Sequence, residues 1–145
     1  MKLYRITPVF ALLLSASAVA SAQCKAFAKN DCLPELAPYT HDGNYHATTL
    51  VAGEEAELYK TFYSDMEYRV AVCGDVNLPD IEFLVMDANK NVLYTNKENN
   101  YSRTWDFKPQ SSQQLKFVIR AGSLTKPGAV ASGCVSIMFG FKTNK

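Results

Sequence analysis

The sequence predicts an all-β fold, a small jelly-roll-like β-sandwich of about eight antiparallel strands. Three observations lead there. Short β-prone runs recur at regular spacing between turn residues. Many of them alternate apolar and polar side chains with period two, which buries one face of a sheet. Finally, no stretch of ten or more residues keeps a convincing helical period.

The runs follow in order. Tyr45 to Val51 is the first, and Ala52-Gly53-Glu54-Glu55 turns it. Ala56 to Tyr63 is the second, closed by Ser64-Asp65-Met66. Glu67 to Cys73 places Tyr68, Val70 and Val72 on one face. After the loop Gly74 to Asp80, Ile81 to Met86 alternates Ile81, Phe83 and Val85. Asp87 to Asn91 is a polar hairpin loop, Val92 to Thr95 a fifth run, and Asn96 to Ser102 a polar loop. Arg103 to Lys108 pairs Trp105 with Phe107, an alternation that reads as core. Leu115 to Ala121 puts Leu115, Phe117 and Ile119 on one face. Gly122 to Gly133, with Pro127 and Gly128, is a loop. Val135, Ile137, Phe139 and Phe141 give the last run, Cys134 to Lys142, its core face. Two such sheets bury their apolar faces against each other.

Ahead of these runs the chain differs. Lys2 and Arg5 precede the apolar run Val9 to Leu14, and small residues follow up to Ala20-Ser21-Ala22. Basic, apolar and small segments in that order form an export signal, with cleavage expected near Ala22. The apolar run is well short of the ~20 residues that cross a bilayer. Gln23 before Cys24 is not the small residue that a lipid-anchored form would want. The expected organisation is therefore residues 1–22 as signal peptide, 23–44 as an irregular or briefly helical segment with Pro34 and Pro38, and 45–145 as the β-sandwich. Removing the signal leaves 123 of the 145 residues, enough for one domain. Without Lys2 and Arg5 the 15 Lys and Arg fall to 13 against 14 Asp and Glu. No basic stretch stands out, so composition offers nothing to a nucleic-acid partner. The expected location is periplasmic or secreted.

An even number of cysteines in an exported chain reads as disulfides. Cys24, Cys32, Cys73 and Cys134 allow three pairings. The favoured one is Cys24–Cys32, closing a short loop, with Cys73–Cys134 joining the end of one strand to the start of its neighbour. A metal site is the competing reading, and it lacks the close ligand pairs of four-cysteine zinc sites.

Two resemblances follow from these residues. A turn before Tyr59 to Tyr63, the Y-R-V-x-V strand Tyr68 to Val72 and the Val85 to Tyr94 hairpin resemble the pre-peptidase C-terminal type of domain. The segments Cys32 to Leu36, Tyr68 to Cys73, Trp105 to Phe107 and Gly133 to Lys142 are similar to a family of uncharacterised exported bacterial β-sandwich proteins. The second resemblance implies a β-sandwich in the envelope or outside the cell, and no activity.

The parts for catalysis are few. His41 and His46 are the only imidazoles, no serine sits in a G-x-S-x-G elbow, and bridged cysteines are not thiolates. Asp87, Asn89 and Asn91 resemble the start of a calcium loop, although no glycine follows at the next position. Ordinary hairpin chemistry also explains them. Tyr94, Tyr101 and Trp105 surround one hairpin and are candidates for a stacking platform, with Tyr94 and Tyr101 the favoured ligand contacts. The expectation is a non-enzymatic binding or structural module without cofactor, whose partner is an envelope protein or a glycan. The alternatives are a carbohydrate-binding module using loop aromatics and a calcium-dependent adhesion module.

Overall fold

The computed structural model describes residues 17–124 and 131–143. Most of the expected signal, residues 1–16, and residues 125–130 of the expected Gly122 to Gly133 loop, with Pro127 and Gly128, lie outside the described residues. Among the described residues nine strands form two antiparallel sheets. They are β1 Thr40–His41, β2 His46–Val51, β3 Glu55–Phe62, β4 Met66–Gly74, β5 Ile81–Met86, β6 Val92–Thr95, β7 Thr104–Phe107, β8 Gln113–Ala121 and β9 Ser132–Thr143. The first sheet runs β1-β9-β4-β7, and β2 pairs with β9 on the same side as β1. The second runs β3-β8-β5-β6. The eight expected runs are therefore all strands, and β1 is added to them.

Alternation builds the core as expected. Val70 and Val72 of β4, Val135, Ile137 and Phe139 of β9, Phe83 and Val85 of β5, and Leu115, Phe117 and Ile119 of β8 pack into one cluster between the sheets. Phe62 sits at its centre, edge-on to Tyr68, Phe107 and Phe139. Such offset and edge contacts suit the ring quadrupole.

The segment before the sandwich is more regular than its prolines suggest. An α-helix, α1 Ser17–Phe27, passes through a π-turn at Ala28–Cys32 into a 3-10 turn at Leu33–Leu36. Cys24, Ala28, Cys32 and Leu36 are all buried. Four residues apart, they form a stripe on one side of this helical run. That stripe covers the outer face of the first sheet, where Ala71, Cys73 and Met138 meet it in a second, separate cluster. The protein thus has a helical cover, then one sheet, then the other.

The disulfides correct the expected pairing. Cys24 is bonded to Cys134, with Cα atoms 5.1 Å apart, and Cys32 to Cys73, at 5.7 Å. Register excludes the Cys73–Cys134 bridge. Cys73 lies opposite Ser136, not Cys134. Diagonal neighbours in a sheet are about 7–8 Å apart, beyond the reach of a disulfide. Cys24–Cys32 fails for a different reason. Eight residues of helix at ~1.5 Å each put them about 12 Å apart. Both strand cysteines have the parity opposite to Val72 and Val135, so they face outward to the cover. Each bridge ties the cover to a strand, and neither joins two strands.

Candidate functional site

The two sides of the sandwich close differently. On the β6–β7 side an aromatic stack seals the gap. Tyr94 of β6 lies parallel to Trp105 of β7 at 4.9 Å, and Trp105 to Phe107 at 4.2 Å. Phe83 lies behind Tyr94 at 5.4 Å. Trp105 packs against the core, as its alternation predicted.

On the opposite side β2 and β3 face one another without pairing. They follow each other through the turn Ala52-Gly53-Glu54, yet β2 pairs with β9 and β3 with β8. Glu54 donates its backbone N–H to Val51 O at 2.9 Å and so folds the turn. From there the strands diverge, because each follows its own sheet. Between them opens a slot of about 310 Å³. Ile119, Val135 and Ile137 form its floor, Ala56 and Leu58 one wall, and His46 and Thr48 the other. His46 lies opposite Ile137 and Thr48 opposite Val135, so both turn inward. Strand order leaves one edge of β2 and one edge of β3 without a partner strand among the described residues.

An ion pair ends the slot. The Lys60 Nζ of β3 donates to Asp42 Oδ2 at 2.9 Å and lies 5.0 Å from the Phe139 ring centroid. Asp42 follows β1 and is held to the first sheet by its N–H bond to Phe139 O. The pair therefore spans the two sheets. Burial raises the Asp42 pKa, but the Asn44 backbone N–H and the Lys60 ammonium outweigh it and hold the carboxyl below its ordinary value. Burial lowers His46, so its imidazole is uncharged at neutral pH. A smaller hollow of about 190 Å³, lined by Tyr63, Met66 and Tyr68, continues the seam past Lys60.

The residues singled out in the sequence fall elsewhere. Asp87, Asn89 and Asn91 do come together, as an Asx-type hairpin turn. Asp87 Oδ1 accepts the backbone N–H groups of Asn89 and Asn91 at 2.9 Å, and Oδ2 accepts from Asn91 Nδ2 at 3.0 Å. The asparagines aim donors at the carboxylate, and these bonds lower its pKa. The arrangement folds a loop; it does not converge oxygens on a cation. No group of three or more His, Cys, Asp or Glu among the described residues could hold a metal ion.

Tyr94 and Tyr101 do not share a cleft. Tyr101 is exposed and lines a polar hollow with Asp75, Asp80 and Arg103, which Tyr94 does not reach. Buried Asn96 fixes that loop. Its Oδ1 accepts Phe83 N–H at 2.8 Å, and its Nδ2 donates to Ile81 O and Ser102 O.

Sequence reasoning missed the slot, because a gap between sheets belongs to no single run. One signal was present: His46 and Thr48 are polar at the inward positions of β2, where Leu50 returns to apolar.

No family model matches the chain, and no curated protein matches it. Among solved structures the chain is similar to PliG of Aeromonas hydrophila, a periplasmic lysozyme inhibitor of g-type lysozyme. The identity is 10%, the match covers 66% of this chain and 88% of that one, and the TM-score is 0.42. No helix of the described residues is long and apolar enough to cross a membrane.

Proposed function

We propose that the chain is an exported, non-enzymatic binding module of the bacterial envelope, periplasmic or secreted, and that the seam between β2 and β3 is its binding site. The observation that carries this reading is the apolar slot of about 310 Å³, open between two unpaired strand edges. Its size is at the lower end of ligand pockets, and its make-up is theirs, an apolar floor and one apolar wall with His46 and Thr48 as the few polar groups. The signal pattern and two disulfides support export, since such bridges persist in oxidising compartments.

Binding without catalysis is supported by how the reactive groups are engaged. All four cysteines are bridged. His41 Nε2 is bonded to Asn44 O at 2.9 Å, and His46 stands edge-on to Phe139.

Nile red, a neutral apolar dye, tests the site. Its emission should brighten and shift to the blue with the native protein. Ala56→Phe, which plugs the slot from the β3 wall, should abolish that change while the melting temperature stays close to native. Equal brightening in both proteins would place the dye elsewhere and remove the seam as the site.

A further inference from the structure

The slot combines two kinds of recognition. Its floor takes apolar groups, and its borders offer backbone N–H and C=O groups that no strand among the described residues has paired. An acyl chain or other hydrocarbon uses the floor alone. An extended peptide uses both, because its backbone completes the strand edge and alternate side chains enter the slot.

The four sheet edges are not equivalent. β6 and β7 are four residues each, and the Tyr94–Trp105 stack joins them. β2, across the slot, is six residues long, and β3 is the longest of the four at eight. Proteins guard long edges with inward-pointing charges. In β3 that guard is Lys60, which points inward and is held by Asp42. The edge from Glu55 to Tyr59 has no inward charge: Ala56 and Leu58 face in.

Charge distinguishes the ends of this stretch. At its turn end Lys116 pairs with Glu57 and Arg120 with Glu55 and Glu82, while Glu54 accepts the Val51 backbone N–H. These are exposed pairs, weakly held and screened by salt. Among the described residues the turn end therefore keeps an excess of negative charge. At the other end Asp42 neutralises Lys60.

We infer that the seam receives a short extended peptide segment of a protein partner, paired with the β3 edge from Glu55 to Tyr59, with alternate apolar side chains in the slot and a basic residue at the turn end. Antiparallel pairing with β3 continues the pattern of its sheet and is the more stable per residue. The basic residue then lies toward the segment's carboxyl end. This inference rests on the seam being the binding site.

The test uses the full chain and displacement of Nile red. The probe is a short synthetic peptide of alternating valine and threonine with a lysine near its carboxyl end, capped at both ends. It should displace the dye and, by its own binding curve, bind the native protein but not Ala56→Phe. Replacing that lysine by glutamate should weaken it about threefold or more, the scale of a cross-strand charge pair. Methylating the backbone nitrogens that face β3 should abolish binding. Equal binding of the methylated peptide, or a peptide that fails to displace dye which itself binds, overturns the peptide and leaves the seam. If neither dye nor peptide enters, the seam reading falls as well.

Discussion

Lys60 of β3 bonds to Asp42, across the seam, at 2.9 Å, and this pair links the two sheets on their open side. The first prediction concerns its response to acid. A carboxyl held below its ordinary pKa contributes stability that is present above about pH 4 and is lost as pH falls through its folded value. His46 acts in the same direction. Its folded pKa is lowered, so it favours the folded state above about pH 6.5 and loses that contribution as it protonates. The melting temperature should begin to fall below about pH 6.5 and fall more steeply near pH 4. Lys60→Met should flatten the second part of the curve. At neutral pH it should cost at most about 1 kcal/mol, the range of partly exposed pairs. Thermal melts from neutral to acidic pH check both.

The disulfide connectivity predicts what reduction does. Both bridges tie the cover to the first sheet, while the core between the sheets is a cluster of its own. A non-reducing digest should yield peptides linking Cys24 to Cys134 and Cys32 to Cys73. Loss of the Cys32–Cys73 bridge, which closes a separation of 41 residues, should cost about 2–4 kcal/mol. Under reduction, limited proteolysis should cut first between Lys25 and Tyr39, with the sandwich surviving. Simultaneous cleavage throughout would show that the cover and the sandwich do not unfold separately.

Trp105 should report on the sealed side of the sandwich. It lies between Tyr94 and Phe107, so its emission should be blue-shifted and resist acrylamide. Tyr94→Ala should open one face, raise the quenching constant and cost roughly 2–4 kcal/mol from lost burial and stacking. A red-shifted, freely quenched tryptophan in the native protein would contradict the stack.

The Asp87 hairpin predicts indifference to chelators. Its carboxylate is satisfied by donors of its own loop, so excess chelator should leave the melting temperature unchanged. Asp87→Ala should lower that temperature slightly through loss of the turn. A large drop with chelator would restore the calcium reading of Asp87, Asn89 and Asn91.

The sandwich was legible because alternation is local. Val70 and Val72, or Val135, Ile137 and Phe139, declare their shared face within a few residues. The cover was harder to read. Its stripe Cys24, Ala28, Cys32, Leu36 has a spacing of four, but two of the positions are cysteines and one is alanine, so the apolar signal is weak. Disulfide pairing depends on register and on helix rise, which the order of cysteines does not express. Parity held the missing clue: Cys73 and Cys134 fall on the faces opposite to Val72 and Val135, toward something outside the sandwich. The candidate site was least legible, since its floor and walls come from β2, β3, β8 and β9 and meet only when both sheets are in place. Arg69 is a comparable case. From the outer face of β4 it donates to both Asp106 carboxylate oxygens, at 2.7 and 2.8 Å, and to Ala37 O, joining strand β7 to the cover. A lone arginine in a strand run announces none of this.

The seam is tested most directly by methyl NMR of the full chain titrated with Nile red. The account predicts that the shifts concentrate on Leu58, Ile119, Val135 and Ile137. Shifts confined to Leu84, Met86 and Leu93 on the outer face of the second sheet, or no shifts at all, would contradict it.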